Sequence, residues 1–325
     1  MCFRTICKRF IVVFAVVLSM FLFSCDNKKA EYDTIENIVS KNQGIYEKMA
    51  NYTIVDGSTA NIPMMAQIMS DYLGIPLEEA RNNYQTVLTT DKAWENMKYK
   101  YHNFDDNYPE LLLVYEPSEK LKKRIKEPNN ELIINPIGVD ALVFIKNKSN
   151  PIDNLSTEDL VNIYAGEITN WKTLGGEDKP IEAFQRIYNS GSQTLFTKLL
   201  MKDKKPMEAK EGYYLAEMGD VITRLSEYKN DANAIGYSVF YYAKKMYANP
   251  DLTFFSIDGI SPTDKTIENG TYPFLNQYYV VIRADEPEDS EVRKLYNYIL
   301  SDKGKESIRK AGYIPTNNND RVVFE

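Results

Sequence analysis

Histidine is all but missing from this chain: His102 is the one copy in 325 residues. Cysteine occurs three times and tryptophan twice. So few imidazoles and thiols cannot build a His/Cys metal cage. There is no second histidine to support a Ser/His pair and no reactive thiol, so an enzyme such as a phosphatase is disfavoured. His102 lies in the polar run from Tyr101 to Asn107 and reads as a loop residue. A basic excess is missing too. The net charge is −7, which argues against nucleic acid, a partner that needs a basic face. A small anion remains open, because local N–H groups and one arginine outweigh a distant, screened charge.

Long apolar runs are confined to the beginning. Arg4, Lys8 and Arg9 precede Phe10–Phe23, which is apolar apart from Ser19. That run falls short of the about 20 residues a membrane helix needs, so it reads as an export signal. Leu22-Phe23-Ser24-Cys25 resembles the lipobox of bacterial lipoproteins. The resemblance implies a signal peptide over 1–24, cleavage before Cys25, and lipid on the Cys25 thiol and the new amino terminus. Cys2 and Cys7 would leave with the signal, so the mature chain could hold no internal disulfide. Residues 25–51 read as a polar tether.

What is present is a globular α/β pattern. Hydrophobic residues make up 43% of the chain, enough for one large or two medium domains. Strand and helix patterns alternate almost throughout, without internal repeats. The most telling stretch is Arg186-Ile187-Tyr188-Asn189-Ser190-Gly191-Ser192-Gln193-Thr194. A short strand pattern, Ile181–Phe184, precedes it. Leu195, Phe196, Leu199 and Leu200 follow at helical spacing. Small polar residues therefore sit where a helix begins, with unpaired N–H groups and partial positive charge. Ser190 and Ser192 add hydroxyls, Gly191 lets the backbone approach closely, and Arg186 offers a fork of donors for an oxyanion. An ordinary N-cap beside a surface arginine explains the same residues.

Two similar openings occur earlier. Tyr52–Val55 reads as a strand, followed by Asp56-Gly57-Ser58-Thr59-Ala60 and a helix through Ile62, Met65 and Met69, with Pro63 in its first turn. Tyr84–Leu88 reads as a strand, and Thr89-Thr90-Asp91 caps a helix through Ala93, Trp94 and Met97. Leu111–Tyr115 is wholly apolar, as in a strand covered on both faces. Glu116 follows at its carboxyl end, where open α/β sheets place ligands. Glu131–Ile134 and Leu142–Ile145 read as two strands flanking Asn135-Pro136-Ile137-Gly138. Ser156–Asp159 resembles a capping box, for a helix that stops near Gly166. Leu252–Ile257 and Gln277–Ile282 read as strands. Ser290 caps a helix, and a further one ends at Gly312.

Asn150-Pro151-Ile152-Asp153-Asn154-Leu155, Ile163–Trp171 and Leu174-Gly175-Gly176 resemble the second lobe of phosphate-binding proteins that feed ABC transporters. Arg186 with Ser190-Gly191-Ser192 matches that family's arginine and Ser-Gly-Thr loop. Ala234–Tyr237, Ile257–Thr263, Tyr272-Pro273-Phe274 and Ser301–Pro315 continue the resemblance in order. It implies an α/β, two-lobed, type II periplasmic-binding-protein fold with hinge-crossing strands. Lobe 1 would be 52–136 and 272–325, and lobe 2 would be 137–271.

Carried over by residue, the phosphate ligands would be Ser58, Thr59 and Ala60, then Thr89 or Thr90, from lobe 1. Arg186, Ser190, Gly191 and Ser192 would donate from lobe 2. Glu116 stands where the family has an aspartate one methylene shorter. Hydrogen phosphate has a P–OH to donate to such an acceptor; sulfate has none, and would be repelled. The Thr89-Thr90-Asp91 loop lacks the family's glycines, and Asp91 would oppose an anion unless it points away. The resemblance implies a monomeric, lipid-anchored, extracytoplasmic protein without cofactor or enzymatic activity. It would deliver inorganic phosphate to an ABC permease. Another tetrahedral oxyanion, a phosphorylated small molecule, or a sensor or adhesion role on the same fold remain alternatives.

Overall fold

A computed structural model describes residues 40, 43–84, 89–99, 108–128, 131–188, 190–209, 212–215, 218–227, 231–318 and 320–324. The leader, Cys25, His102, Asn189 and most of the strand expected at Tyr84–Leu88 lie outside these residues. Two compact units emerge. One is Met1–Tyr52 with Tyr101–Tyr108, of which 43–50 is helical. The other is Thr53–Lys100 with Pro109–Glu325. The sheet, its helices and the candidate site all belong to the second.

Among the described residues, eight strands form the main sheet. They are β1 (Val55–Gly57), β2 (Leu111–Tyr115), β3 (Leu132–Asn147), β4 (Glu182–Ala183), β5 (Ala234–Val239), β6 (Leu252–Phe254), β7 (Leu275–Arg283) and β8 (Ile314–Pro315). Their order is β1-β2-β7-β3-β5-β4, with β6 and β8 also pairing on β3. β2 is buried at every position, between parallel β1 and antiparallel β7. Helices follow the strands: α1 (Ile62–Leu73), α2 (Thr90–Tyr99), α3 (Glu119–Ile125), α4 (Thr157–Ala165), α5 (Gly191–Leu195), α6 (Met218–Glu227), α7 (Glu291–Leu300) and α8 (Asp302–Lys310). Trp94 of α2 packs with Leu112, Val114 and Val281 in one apolar cluster, and its indole N–H donates to Tyr115 O at 2.9 Å. A buried indole needs such a partner, and here it locks α2 onto the end of β2.

β3 differs from expectation. The two strands read on either side of Asn135–Gly138 are one strand of 16 residues. Pro136 sits inside it because β3 itself is bulged: consecutive Tyr278 and Tyr279 of β7 face Gly138 and Pro136, so Ile137 is the extra residue. A bulge is one of the few places in a sheet where a missing N–H is tolerated. β3 pairs with β7 from Leu132 to Ala141, then with β5 from Leu142 to Ile145. One strand thus connects two regions of sheet. β1 begins three residues later than the apolar pattern suggests, at Val55. The Leu252–Ile257 strand is broken at Phe255.

The capping signals hold. Ser156 and Asp159 form a reciprocal capping box, and α4 ends on left-handed Gly166. α7 and α8 are capped by Ser290 and Ser301. The Asn150–Leu155 motif encloses a lysine: Lys146 Nζ donates to Asn150 O (2.9 Å), Ile152 O (2.5 Å) and Asp153 Oδ1 (2.6 Å). That motif shapes the fold.

Candidate anion site

Three helix or turn openings meet around the ends of β1 and β2. β1 stops at Gly57 because the chain there runs against β2: a Cβ on Gly57 would lie 1.8 Å from Leu113 O. The close approach lets Ser58 N–H donate to Leu113 O (3.3 Å). Ser58 Oγ accepts from Tyr115 N–H (3.1 Å) and shares a hydrogen bond with Thr90 Oγ1 (2.8 Å). Ser58 and Thr90 are both buried, so one hydroxyl pair ties the turn after β1, the end of β2 and the start of α2.

The opposing wall is α5. Ser190 is its N-cap and accepts from Gln193 N–H (3.2 Å). Gly191 packs on Thr90 so closely that a Cβ would sit 2.7 Å from Thr90 Oγ1. Ser192 is 1% exposed, and its Oγ is buried without a hydrogen-bond partner. Such an orphan hydroxyl costs about 1–3 kcal/mol and signals a missing acceptor. Arg186 is buried just upstream, its Nε and Nη1 both shielded from solvent. Its backbone N–H donates to Gln193 Oε1 (3.2 Å) and to Tyr237 OH (3.1 Å). Tyr237 OH in turn donates to Gln193 Oε1, and its ring stacks on Phe196 at 4.4 Å. This buried network fixes the loop against β5. Burial and loss of hydration push the Tyr237 hydroxyl well above its ordinary range, so it stays a neutral donor.

Glu116 follows β2 and is 4% exposed. Its two carboxylate oxygens are held by separate cations: Oε1 by Lys122 of α3 and Oε2 by Lys198, beyond α5. Lys122 also binds Glu119 at 2.6 Å. Asp91 turns away from this centre. Its oxygens accept from Ser118 N–H (2.9 Å) and Ser118 Oγ (2.5 Å), so it caps α3 and adds no charge to the anion side.

Of the residues expected from sequence, Ser58, Thr90, Glu116, Gly191 and Ser192 come together on facing walls, with Ser190 and Arg186 supporting them. Ala60 is buried, and its carbonyl accepts from Tyr313 OH (2.5 Å). Thr59 and Thr89 are exposed. Between the alternatives left open, Thr90 is the hydroxyl that joins the cluster. Sequence reading missed Lys122, Lys198, Gln193 and Tyr237. Lys198 lies 82 residues from Glu116, and no local pattern announces such a pair. Among the described residues, no group of acidic, histidine or cysteine side chains could hold a metal ion.

Comparison with known proteins agrees with this architecture. The phosphate-binding protein PstS of Borreliella burgdorferi is 24% identical over 313 residues, spanning 94% of this chain and 98% of that protein. The structure of a candidate phosphate ABC transporter substrate-binding protein from Clostridium perfringens, solved with bound phosphate, superposes with a TM-score of 0.62 at 21% identity. That match covers 82% of this chain and 100% of the other. An ABC-type phosphate transport receptor from Vibrio cholerae gives 0.59 at 20% identity, covering 81% and 99%. The fold is that of type II periplasmic binding proteins. The profile of the PBP superfamily domain matches residues 48–303, and the chain belongs to that superfamily.

Proposed function

We propose that this protein captures inorganic phosphate between two lobes, 52–136 with 272–325 and 137–271, and hands it to an ABC permease. The observation that carries the reading is the convergence of Ser58, Thr90, Gly191 and the orphan hydroxyl of Ser192 beside Glu116. Donors fixed before the ligand arrives cost little to reorganise, which favours tight binding of a small oxyanion. The names of the relatives support phosphate as that oxyanion. β3, pairing first with β7 and then with β5, is suited to serve as a hinge strand. The same reading makes the protein a non-catalytic monomer outside the cytoplasm, held to the membrane by lipid on Cys25. No helix among the described residues is long and apolar enough to cross a membrane.

Calorimetric titration of phosphate into ligand-stripped protein tests the reading. One site per chain is expected. Arg186→Ala should weaken binding about 100-fold, as expected for a buried charge-assisted contact. No binding by folded protein up to millimolar phosphate would refute the function, and full affinity in Arg186→Ala would refute the site.

A further inference from the structure

Glu116 is a buried carboxylate with a cation on each oxygen, and the two cations come from different walls. Lys122 belongs to α3, next to Glu116 in the chain. Lys198 comes from the turn beyond α5, and its side chain is 41% exposed. We propose that Lys198, together with Lys122, is a positioning residue for anion selectivity, pinning the Glu116 carboxylate where it accepts the P–OH of phosphate and repels a fully deprotonated oxyanion. The proposal rests on the phosphate reading above.

Each oxygen of Glu116 is oriented by its own ammonium. Without an ammonium on each oxygen the Glu116 carboxylate is free to change rotamer, and its placement against an anion is lost. A carboxylate that can turn away from the anion no longer opposes sulfate. An ionised acid accepts from P–OH, and it leaves sulfate with a repulsive contact and an unmade bond. Control over Glu116 is therefore control over selectivity. The other titratable groups around it cannot take this role. Glu119 is negative and is itself held by Lys122. Burial, and then the nearby Glu116, push the Tyr279 hydroxyl far up, so it stays a neutral phenol. Asp91 is turned to Ser118. Because Lys198 arrives on the wall opposite Glu116, the acceptor receives its second cation only where the walls meet. Closure and discrimination are thus linked through one side chain.

Titrations of the mature, full-length protein with inorganic phosphate and with sulfate decide the matter. Lys198→Met should weaken phosphate about tenfold and leave sulfate equal or stronger. The phosphate-to-sulfate ratio should then fall by about tenfold or more. Lys198→Arg keeps the charge and should restore most of the ratio, which a merely structural role would not require. Lys122→Met should shift the ratio in the same direction; should it fail to fold, the more exposed Lys198 still carries the test. The proposal is overturned if Lys198→Met binds phosphate with the wild-type ratio, or if Lys198→Arg is as impaired as Lys198→Met. A wild-type protein that binds no phosphate would instead remove the function on which the proposal stands.

Discussion

Glu116 and Asp140 are buried to nearly the same extent, 4% and 3% exposed, yet the chain treats them differently. Glu116 is answered by charge, Lys122 and Lys198. Asp140 is answered by neutral donors: Tyr115 OH at 2.7 Å, Ala141 N–H at 2.8 Å and Tyr241 N–H at 3.2 Å. The two acids are linked through consecutive residues, since Tyr115 reaches Asp140 and Glu116 turns the other way. Glu116 faces the proposed anion. Asp140 sits on β3 two residues before the strand exchanges β7 for β5. At the proposed anion site the protein pairs a buried carboxylate with cations; at the crossing it tolerates one without. Desolvation raises the Asp140 carboxyl to about 6, against the pull of its hydrogen bonds.

The widest gap between the two should appear on removal of the acid. Glu116→Ala leaves Lys122 buried beside Glu119 alone, and should destabilise the fold by about 3–4 kcal/mol in urea unfolding, near the low end for a broken buried ion pair. A loss below about 1 kcal/mol would mean that the cations do not depend on Glu116. Asp140→Asn should act through pH. The folded acid binds its proton more tightly than the unfolded one, whose ordinary value is 3.8. The stability it contributes is present below that value and is lost as pH rises towards about 6. Relative to the Asn variant, the wild type should therefore lose about 2–3 kcal/mol between pH 4 and pH 7. Parallel stability curves for the two proteins would erase the contrast between fixed and tolerated charge.

Much of this architecture is legible in the sequence where the cause is local. Leu111–Tyr115 announces a doubly covered strand because every side chain is apolar, and β2 has those limits. The capping box at Ser156 and the N-cap at Ser190 are written within four residues. What the sequence hides is long-range. Pro136 looks like a strand break until the β3 bulge at Ile137 is known. Phe196–Met201 follows α5 in the helical period, but widens into a π-turn under tertiary packing of Phe196 against Tyr164 and Tyr237. The wall of the proposed anion site is legible through Ser58, Thr90 and Ser190–Ser192, each at an element start. Its charge balance is not, because Lys198 reads as one more polar residue on a helix.

A smaller effect sharpens the division between walls. Gly191 begins α5 in a conformation open to alanine, so backbone strain is not at issue. The added methyl would meet Thr90 Oγ1 at 2.7 Å and force the walls apart. Gly191→Ala should weaken phosphate binding about tenfold, or about 1.4 kcal/mol, within the range for a small overpacked contact. Thr90→Ala in the same background removes the oxygen that the methyl meets and should relieve the overpacking, at the cost of the Thr90–Ser58 hydrogen bond. An unaffected affinity would place the two walls further apart during binding than the contact implies.

The smallest change separates capping from ligand contact. Ser190→Ala removes the oxygen that accepts from Gln193 N–H, and should lower stability by about 1 kcal/mol. Ser156→Ala removes the equivalent cap from α4, outside the candidate site, and should cost a similar amount. Only the first should also weaken phosphate binding, because Gln193 carries the backbone of Arg186 and the hydroxyl of Tyr237. Calorimetry beside urea unfolding distinguishes the outcomes. If both variants lose stability alike and neither loses affinity, Ser190 is a cap and the anion is held by Ser192, Thr90 and Arg186 without it. If only Ser190→Ala loses affinity, the start of α5 is part of the wall itself.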